Sequence, residues 1–250
     1  MSNLNVSGMR IPRFYEPHDL STRQTHTLSE AATQHVARVL RMKVGDQITL
    51  FNGQGSEFLC TLVRVDKRHV DVDIITQTSL SRSSALKIHI GQAISRGERM
   101  DYAIQKATEL GMSCMTPLLT ERCEVRLNNE RRDKRTQHWQ QVATSACEQS
   151  LRNELPLIRP IQSLQEWLSN VDADLKLVLH HHTEQPLGDF PQPASVALLI
   201  GPEGGLSETE VTTALAAGFK PVAFGPRVMR TETAPVAAQA ILQYLWGDLS

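Results

Sequence analysis

The chain has 250 residues, 40% of them hydrophobic, enough to bury a core in one large or two ordinary domains. A formal net charge of −1 gives no global attraction to nucleic acid, so an RNA or DNA partner requires a local basic patch. Four cysteines without CxxC spacing argue against a zinc site and a disulfide framework, and no apolar run reaches the length of a membrane span.

Residues 1–8 are polar and featureless and read as a disordered leader, a tag remnant or an extended start before Met9. No basic segment precedes a long apolar stretch, so no secretory signal is expected and the cytoplasm is the simplest compartment. Residues 10–80 look β-rich, interrupted by one helix over Ser29–Leu40 with Ser29 as cap and Ala32, Val36, Val39 and Leu40 on its apolar face. Asn52-Gly53 is a hairpin signal, and Ser56–Asp66 and His69–Ile75 alternate apolar and polar residues as half-buried antiparallel strands do. Several short strands with one helix suggest a small barrel-like domain. Arg10, Arg13, Arg38, Arg41 and Lys43 could supply a basic patch there, or simply a solvated mixed surface. The Ser/Thr-rich stretch Thr76–Ala85 reads as a linker.

Beyond it strands and helices alternate. Strands are predicted over Leu86–Ile94, Ser113–Leu118, Leu175–His180, Val196–Ile200 and Pro221–Phe224. Helices are predicted over Met100–Leu110, Arg131–Ser150, Ser207–Ala217 and Thr233–Trp246. This alternation implies parallel βαβ units and an α/β fold. Ser207 and Glu210 form a capping box, and Gly111 and Gly218 close helices. The run His180–His182 reads as a polar strand end, because three consecutive strand residues cannot all face one ion; no metal is expected.

Two segments carry the chemistry: LLIGPEGGLS (198–207) and FGPRVMRTETA (224–234). Each sets a Gly/Pro break between an apolar run and a helix. At the same end of adjacent parallel strands, two such breaks would form one crevice, where ligands of open α/β sheets bind. Gly204 and Gly205 permit positive φ and close approach of a ligand to the backbone. The loop is neither a phosphate-binding Gly-Lys-Ser/Thr loop nor a dinucleotide fingerprint, and Glu203 would repel phosphate yet suit a positively charged ligand. In the second segment Thr233 can cap the last helix and Pro235 fits its first turn, which leaves Arg227, Arg230 and Glu232 as candidates for a ligand or for a local ion pair.

These two segments resemble the S-adenosylmethionine-binding motifs of the RsmE family, SPOUT-superfamily methyltransferases of 16S ribosomal RNA. MRIPRFYEP (9–17), HVARVLRMKVGD (35–46), ISRGERMDYAIQKATELG (94–111), TERCEV (120–125) and ACEQSLR (146–152) are also similar to that family. The resemblance implies a PUA-like RNA-binding β-barrel over 9–80 and an α/β SPOUT methyltransferase domain over 81–250 with a deep trefoil knot. It implies a homodimer that methylates N3 of a uridine in the decoding region of the small ribosomal subunit. By resemblance the cofactor is S-adenosylmethionine, surrounded by Leu199, Ile200, Gly201, Glu203, Gly204, Gly205, Phe224, Gly225, Val228, Met229, Arg230 and Thr233, with Leu179 and His180 closing the pocket. Arg230 is the first candidate for stabilising charge on the base, Glu232 for accepting the proton of N3, and Arg227 for a phosphate contact. Arg10, Arg13, Arg38 and Arg41 are the expected RNA contacts. Arg122, and Gln105, Lys106 and Glu109 of the helix before it, stay open between cleft and solvated face.

Overall fold

The computed structural model describes residues 11–123, 125, 129–180 and 187–249. The leader over 1–8, Arg10, His181 and His182 lie outside the described residues. Two compact units are present: Met1–Ser83 with Cys147–Leu155, and Ser84–Ala146 with Pro156–Ser250. No helix among the described residues is long and apolar enough to cross a membrane.

The first unit is built on β1 (Arg13–Tyr15), β2 (Thr25–Thr27), β3 (Gln47–Phe51), β4 (Ser56–Val65) and β5 (Val70–Ser79), in the order β1-β3-β4-β5-β2. Only β1 and β3 pair in parallel. The period-2 pattern turns Ile48 and Leu50, then Phe58, Cys60 and Leu62, then Val70, Val72 and Ile74 into one core. Ala32 and Val36 of the helical segment cover it.

That segment departs from the uniform helix predicted. α1 (Glu30–Gln34) begins at Ser29, whose hydroxyl accepts from the Ala32 N–H, but His35–Val39 is a π-helical turn in which the Leu40 N–H donates to the His35 carbonyl. The extra residue per turn rotates the face, so Val36 stays buried while Val39 and Leu40, expected in the core, are exposed. The Asn52-Gly53 signal does mark the β3–β4 hairpin, through a four-residue connection with Gly53 at φ +81 and Gly55 at φ +88. Thr76–Ser79, predicted as linker, instead continue β5 opposite Ser56–Leu59. Their side chains are exposed, so backbone pairing to β4 holds this polar strand without a hydrophobic pattern to announce it.

Residues 147–155 return to this unit, whereas the sequence pattern divides the chain once, between 80 and 81. The Tyr15 N–H donates to Glu148 Oε1 (2.9 Å), and Arg13 reaches the Arg152 carbonyl (2.8 Å) and the Asn153 side chain.

The second unit holds β6 (Lys87–Ala93), β7 (Cys114–Leu119), β8 (Leu157–Ile158), β9 (Gln162–Ser163), β10 (Leu175–Leu179), β11 (Ser195–Ile200) and β12 (Lys220–Val222). The sheet order is β12-β10-β11-β6-β7-β8, with β9 also beside β7, and every pair is parallel. Its helices are α2 (Arg99–Glu109), α3 (Asn129–Ser150), α4 (Leu164–Asn170), α5 (Glu208–Ala216) and α6 (Thr233–Trp246). Both sheet faces are covered, as a parallel sheet requires. On one face Ile88, Ile90, Leu177, Leu198 and Ile200 pack with Met100 and Ile104 of α2, Trp139 of α3 and Leu242 of α6. On the other, Val178, Ala197 and Leu199 pack with Trp167 of α4 and Ala214 of α5. Gly91 of β6 lets the indole of Trp167 lie on the backbone: a Cβ there would sit 2.5 Å from Trp167 Cη2.

Candidate cofactor pocket at the strand ends

β11 and β12, which carry the two glycine segments, are not neighbours as predicted; β10 lies between them. Because all three run parallel, their C-terminal ends still open on one edge, with β10 contributing Leu179 and His180. The loops enclose a cavity of about 650 Å³.

The first loop turns tightly: the Gly205 N–H donates to the Pro202 carbonyl (2.8 Å), and Gly205 has φ +71, whereas Gly204 does not need a positive φ. A Cβ on Gly201 would lie 3.1 Å from Leu206 N, so a side chain there would push the loop backbone outward by a few tenths of an ångström. The predicted Ser207–Glu210 capping box starts α5, with both reciprocal hydrogen bonds present. In the second loop Gly225 has φ +80. The α6 cap is Glu232, not Thr233; Thr233 is the first helical residue, and Glu232 makes no side-chain capping bond. Thr231, 5% exposed, ties the two loops: its hydroxyl donates to the Gly201 carbonyl (2.8 Å) and accepts from Gln92 Nε2 (3.0 Å).

The cavity gathers Leu179, His180, Ile200, Gly201, Glu203, Gly204 and Gly205 from the predicted set, together with Phe224, Gly225, Arg227, Val228, Met229, Arg230 and Glu232. Leu199 and Thr233 do not line it. Leu199 is fully buried on the opposite sheet face, as strand alternation dictates once Ile200 faces the first core, and Thr233 sits on the first turn of α6, outside the lining. Gln105, Lys106 and Glu109 are not in the lining either, and Lys106 pairs with Glu109 at 2.8 Å.

Sequence reasoning missed Arg99 and Thr231 and left Arg122 open. Arg99 Nη1 donates to Glu203 Oε1 (2.9 Å), and its Nε lies 4.0 Å from Glu232 Oε1. Glu203 is therefore paired with Arg99 while it faces the cavity; both groups are partly exposed, so the pair stabilises by at most about 1 kcal/mol. Glu232 Oε2 is buried and has no hydrogen-bond partner. Arg122 Nη1 donates to the Gly204 carbonyl (2.9 Å) and to that of Leu206 (3.4 Å), bracing the glycine loop, and the residue itself lines the cavity. Arg99 and Arg122 lie in the ISRGERM and TERCEV motifs, which is the sequence signal that could have found them.

Of the expected RNA contacts, Arg38 and Arg41 are exposed, as is Lys43 of the same basic patch. Arg13 is not available to RNA. It is buried, donates to Glu57 Oε2 (2.9 Å) and stands over the Phe51 ring at 4.3 Å. Burial pulls its guanidinium below the usual arginine range, opposed by Glu57.

Residues 82–243 match the family described as an RNA methyltransferase domain, and residues 28–75 match the RNA methyltransferase PUA domain. With a loop-lined pocket at parallel strand ends, they define the class as an RNA methyltransferase with a PUA-like domain. The chain is 35% identical over 243 residues to the ribosomal RNA small subunit methyltransferase E of Buchnera aphidicola subsp. Schizaphis graminum, covering 96% of this chain and 99% of the relative. It is 31% identical to the Bacillus subtilis protein of that name, covering 88% and 90%. Among solved structures, a Legionella pneumophila methyltransferase in complex with the cofactor SAM aligns with a TM-score of 0.94 at 45% identity over 96% of this chain and 100% of that one. The Neisseria gonorrhoeae ribosomal RNA small subunit methyltransferase E bound to S-adenosyl methionine aligns at 0.91 and 39% identity, with the same coverage. The chain belongs to the ribosomal RNA small subunit methyltransferase E family.

Proposed function

We propose that this protein transfers a methyl group from S-adenosylmethionine to N3 of a uridine in the decoding region of 16S ribosomal RNA. The observation that carries the reading is the cavity of about 650 Å³ between the two glycine loops, its inner wall apolar (Ile200, Val222, Ala234) and its rim lined by arginine and glutamate. Small-molecule sites are typically apolar clefts of about 300–1,000 Å³ with a few oriented polar groups. The SAM-bound relatives from Legionella and Neisseria support this cofactor.

When bound, the cofactor supplies an electrophilic methyl group on a sulfonium. Leu179, His180, Ile200, Gly201, Glu203, Gly204, Gly205, Phe224, Gly225, Val228 and Met229 hold it, chiefly through backbone groups, with Leu199 and Thr233 supporting the strand and helix behind them. Transfer to N3 requires alignment and exclusion of water, which enclosing loops provide. N3 of uridine carries a proton and is nucleophilic only as that proton leaves. Glu232 Oε2, buried without a partner on the cavity wall, accepts it. Arg230 stabilises the charge developing on the base, and Arg227 contacts a phosphate. Arg99, between Glu203 and Glu232, keeps these carboxylates apart and oriented.

The same reading takes the five-stranded unit as a PUA-like β-barrel that binds RNA through Arg38, Arg41 and Lys43, within the domain pattern 9–80 and 81–250. It takes the C-terminal part of the second unit as a deep trefoil knot, as the resemblance to SPOUT methyltransferases implies, with the tie from Thr231 to Gly201 and Gln92 seating the second loop on the ends of β11 and β6. It takes the working enzyme as a cytoplasmic homodimer, supported by the exposed Ile241, Tyr244 and Leu245 on α6.

Incubation of the protein and S-adenosylmethionine with free 16S RNA and with assembled small subunits, followed by nuclease digestion and mass spectrometry, tests the reading. A methylated uridine in the decoding region is expected with one of the two substrates; unmodified RNA with both overturns it.

A further inference from the structure

The first unit contains a cluster that methyl transfer does not use. Glu16, at the end of β1, His18, two residues on, and His26, on β2, bring their side chains together: all three donor atoms lie within 4.8 Å of one another. It is the sole such grouping of three His, Cys, Asp or Glu among the described residues.

Neighbouring elements hold this cluster in place. The Glu16 side chain is fully buried, and its Oε2 is fixed by the Ser29 N–H at 3.0 Å. Its backbone N–H is held by the Phe51 carbonyl (2.9 Å), and His26 is held in register opposite Val72. The other oxygen, Oε1, faces His18 Nδ1 at 2.9 Å and His26 Nε2 at 3.8 Å. No lysine or arginine pairs with this carboxylate among the described residues; its ion-pair partners are the two imidazoles. A buried carboxylate without a permanent cation is costly. His26 Nε2 is buried and has no hydrogen-bond partner, an orphaned lone pair or N–H aimed at the same oxygen. The two rings stand 5.5 Å apart at 52°, so their nitrogens converge without stacking.

We propose that Glu16, His18 and His26 form a metal site for a zinc-class divalent ion, which staples the excursion between β1 and β2 to the sheet. Two imidazoles and one carboxylate suit zinc, with ligand bonds of about 2.0–2.2 Å. Tetrahedral donors at that radius stand about 3.4 Å apart. The two carboxylate–imidazole separations, 2.9 and 3.8 Å, bracket this value, and the imidazole nitrogens, within 4.8 Å of each other, would close toward it by side-chain rotation as the ion binds. His18 is more than half exposed, leaving a fourth position open to water. The ion would supply the charge the Glu16 carboxylate lacks and the partner His26 Nε2 lacks. The sequence expectation of no metal rests on the absence of cysteine spacing and on His180–His182, and it overlooks the Glu16-Pro17-His18 spacing with His26 downstream.

The test uses the full chain, stripped with a chelator and reloaded with zinc or cobalt. Wild type should retain one zinc per chain by elemental mass spectrometry and melt at higher temperature with zinc than without. His18→Ala and His26→Ala should each lose the retained zinc and the zinc-dependent shift. Cobalt in wild type should give a visible ligand-field band without the intense near-ultraviolet band of thiolate ligation. Zinc retained equally by wild type and both variants, or a thiolate band, overturns the proposal by assigning the metal to other residues, as does a wild type that retains none. If a variant fails to fold, the cobalt spectrum and zinc content of wild type decide alone.

Discussion

The Thr231 hydroxyl donates to the Gly201 carbonyl at 2.8 Å, joining two loops thirty residues apart in sequence. The same hydroxyl accepts from the buried Gln92 of β6, so one side chain fixes both walls of the pocket to the sheet. Thr231→Val keeps the shape and removes both bonds. The change should loosen the loops by about 1–3 kcal/mol. Calorimetric titration with S-adenosylmethionine should read this as roughly tenfold or more weaker binding. Unchanged affinity would mean that the loops are held by other interactions.

Arg230 tests the division of labour in the pocket. Arg230→Ala should abolish methylation while leaving cofactor affinity within a few-fold, because the cofactor is held mainly by backbone groups and the guanidinium acts on the base. Turnover and calorimetric affinity measured on one preparation distinguish the outcomes; wild-type turnover would remove Arg230 from the mechanism.

Arg13 and the pair Arg38 and Arg41 should separate cleanly. Arg13→Ala leaves Glu57 with Arg82 at 3.2 Å but strips the carbonyl of Arg152 and the face of Phe51. Breaking a buried ion pair costs about 3–5 kcal/mol. Denaturant unfolding should show a destabilisation near the lower end, since Arg82 remains. Arg38→Ala with Arg41→Ala should leave stability unchanged, weaken RNA binding and flatten its salt dependence, because a phosphate no longer neutralised by arginine keeps its condensed counterion. Binding measured at several salt concentrations reads that slope.

His89 predicts an acid sensitivity. Burial, reinforced by the positive charge of Arg159, lowers it from 6.5 to about 4. Its Nε2 accepts from Trp167 Nε1 at 3.3 Å and lies 2.8 Å from Thr116 Oγ1, so the folded chain favours the neutral ring. Above pH 6.5 neither state is protonated and stability is unaffected. Between 6.5 and about 4 the unfolded chain takes up a proton that the folded chain refuses, so stability falls with pH, by up to about 3 kcal/mol. Urea unfolding at pH 7 and pH 4.5 should show a larger drop for wild type than for His89→Gln. Equal drops would refute the assignment.

Much of the pocket is legible in the sequence because its signals are local. Strand periodicity, the glycine breaks, the Ser207–Glu210 capping box and the start of α6 at Thr233 each depend on residues a few positions apart. Fourteen of the residues named for the site line one cavity for that reason. Leu199 falls outside because a motif names consecutive residues while a strand sends them to opposite faces, and Thr233 because the helix cap lies one residue earlier.

The sequence by itself determined two β/α regions of different character, the loops that break after β11 and β12, and the chemistry those loops carry. Only the tertiary structure decided that β10 runs between those strands, that Arg99 already engages Glu203, that Thr231 binds the loops together and that Arg13 is an internal strut. It also decided that Glu16, His18 and His26 converge. Turns and caps are set by interactions within a few residues, which a sequence displays. Strand order, burial of a charge and convergence of ligands depend on pairings across 44, 104 or 139 positions, and these exist only once the chain is packed.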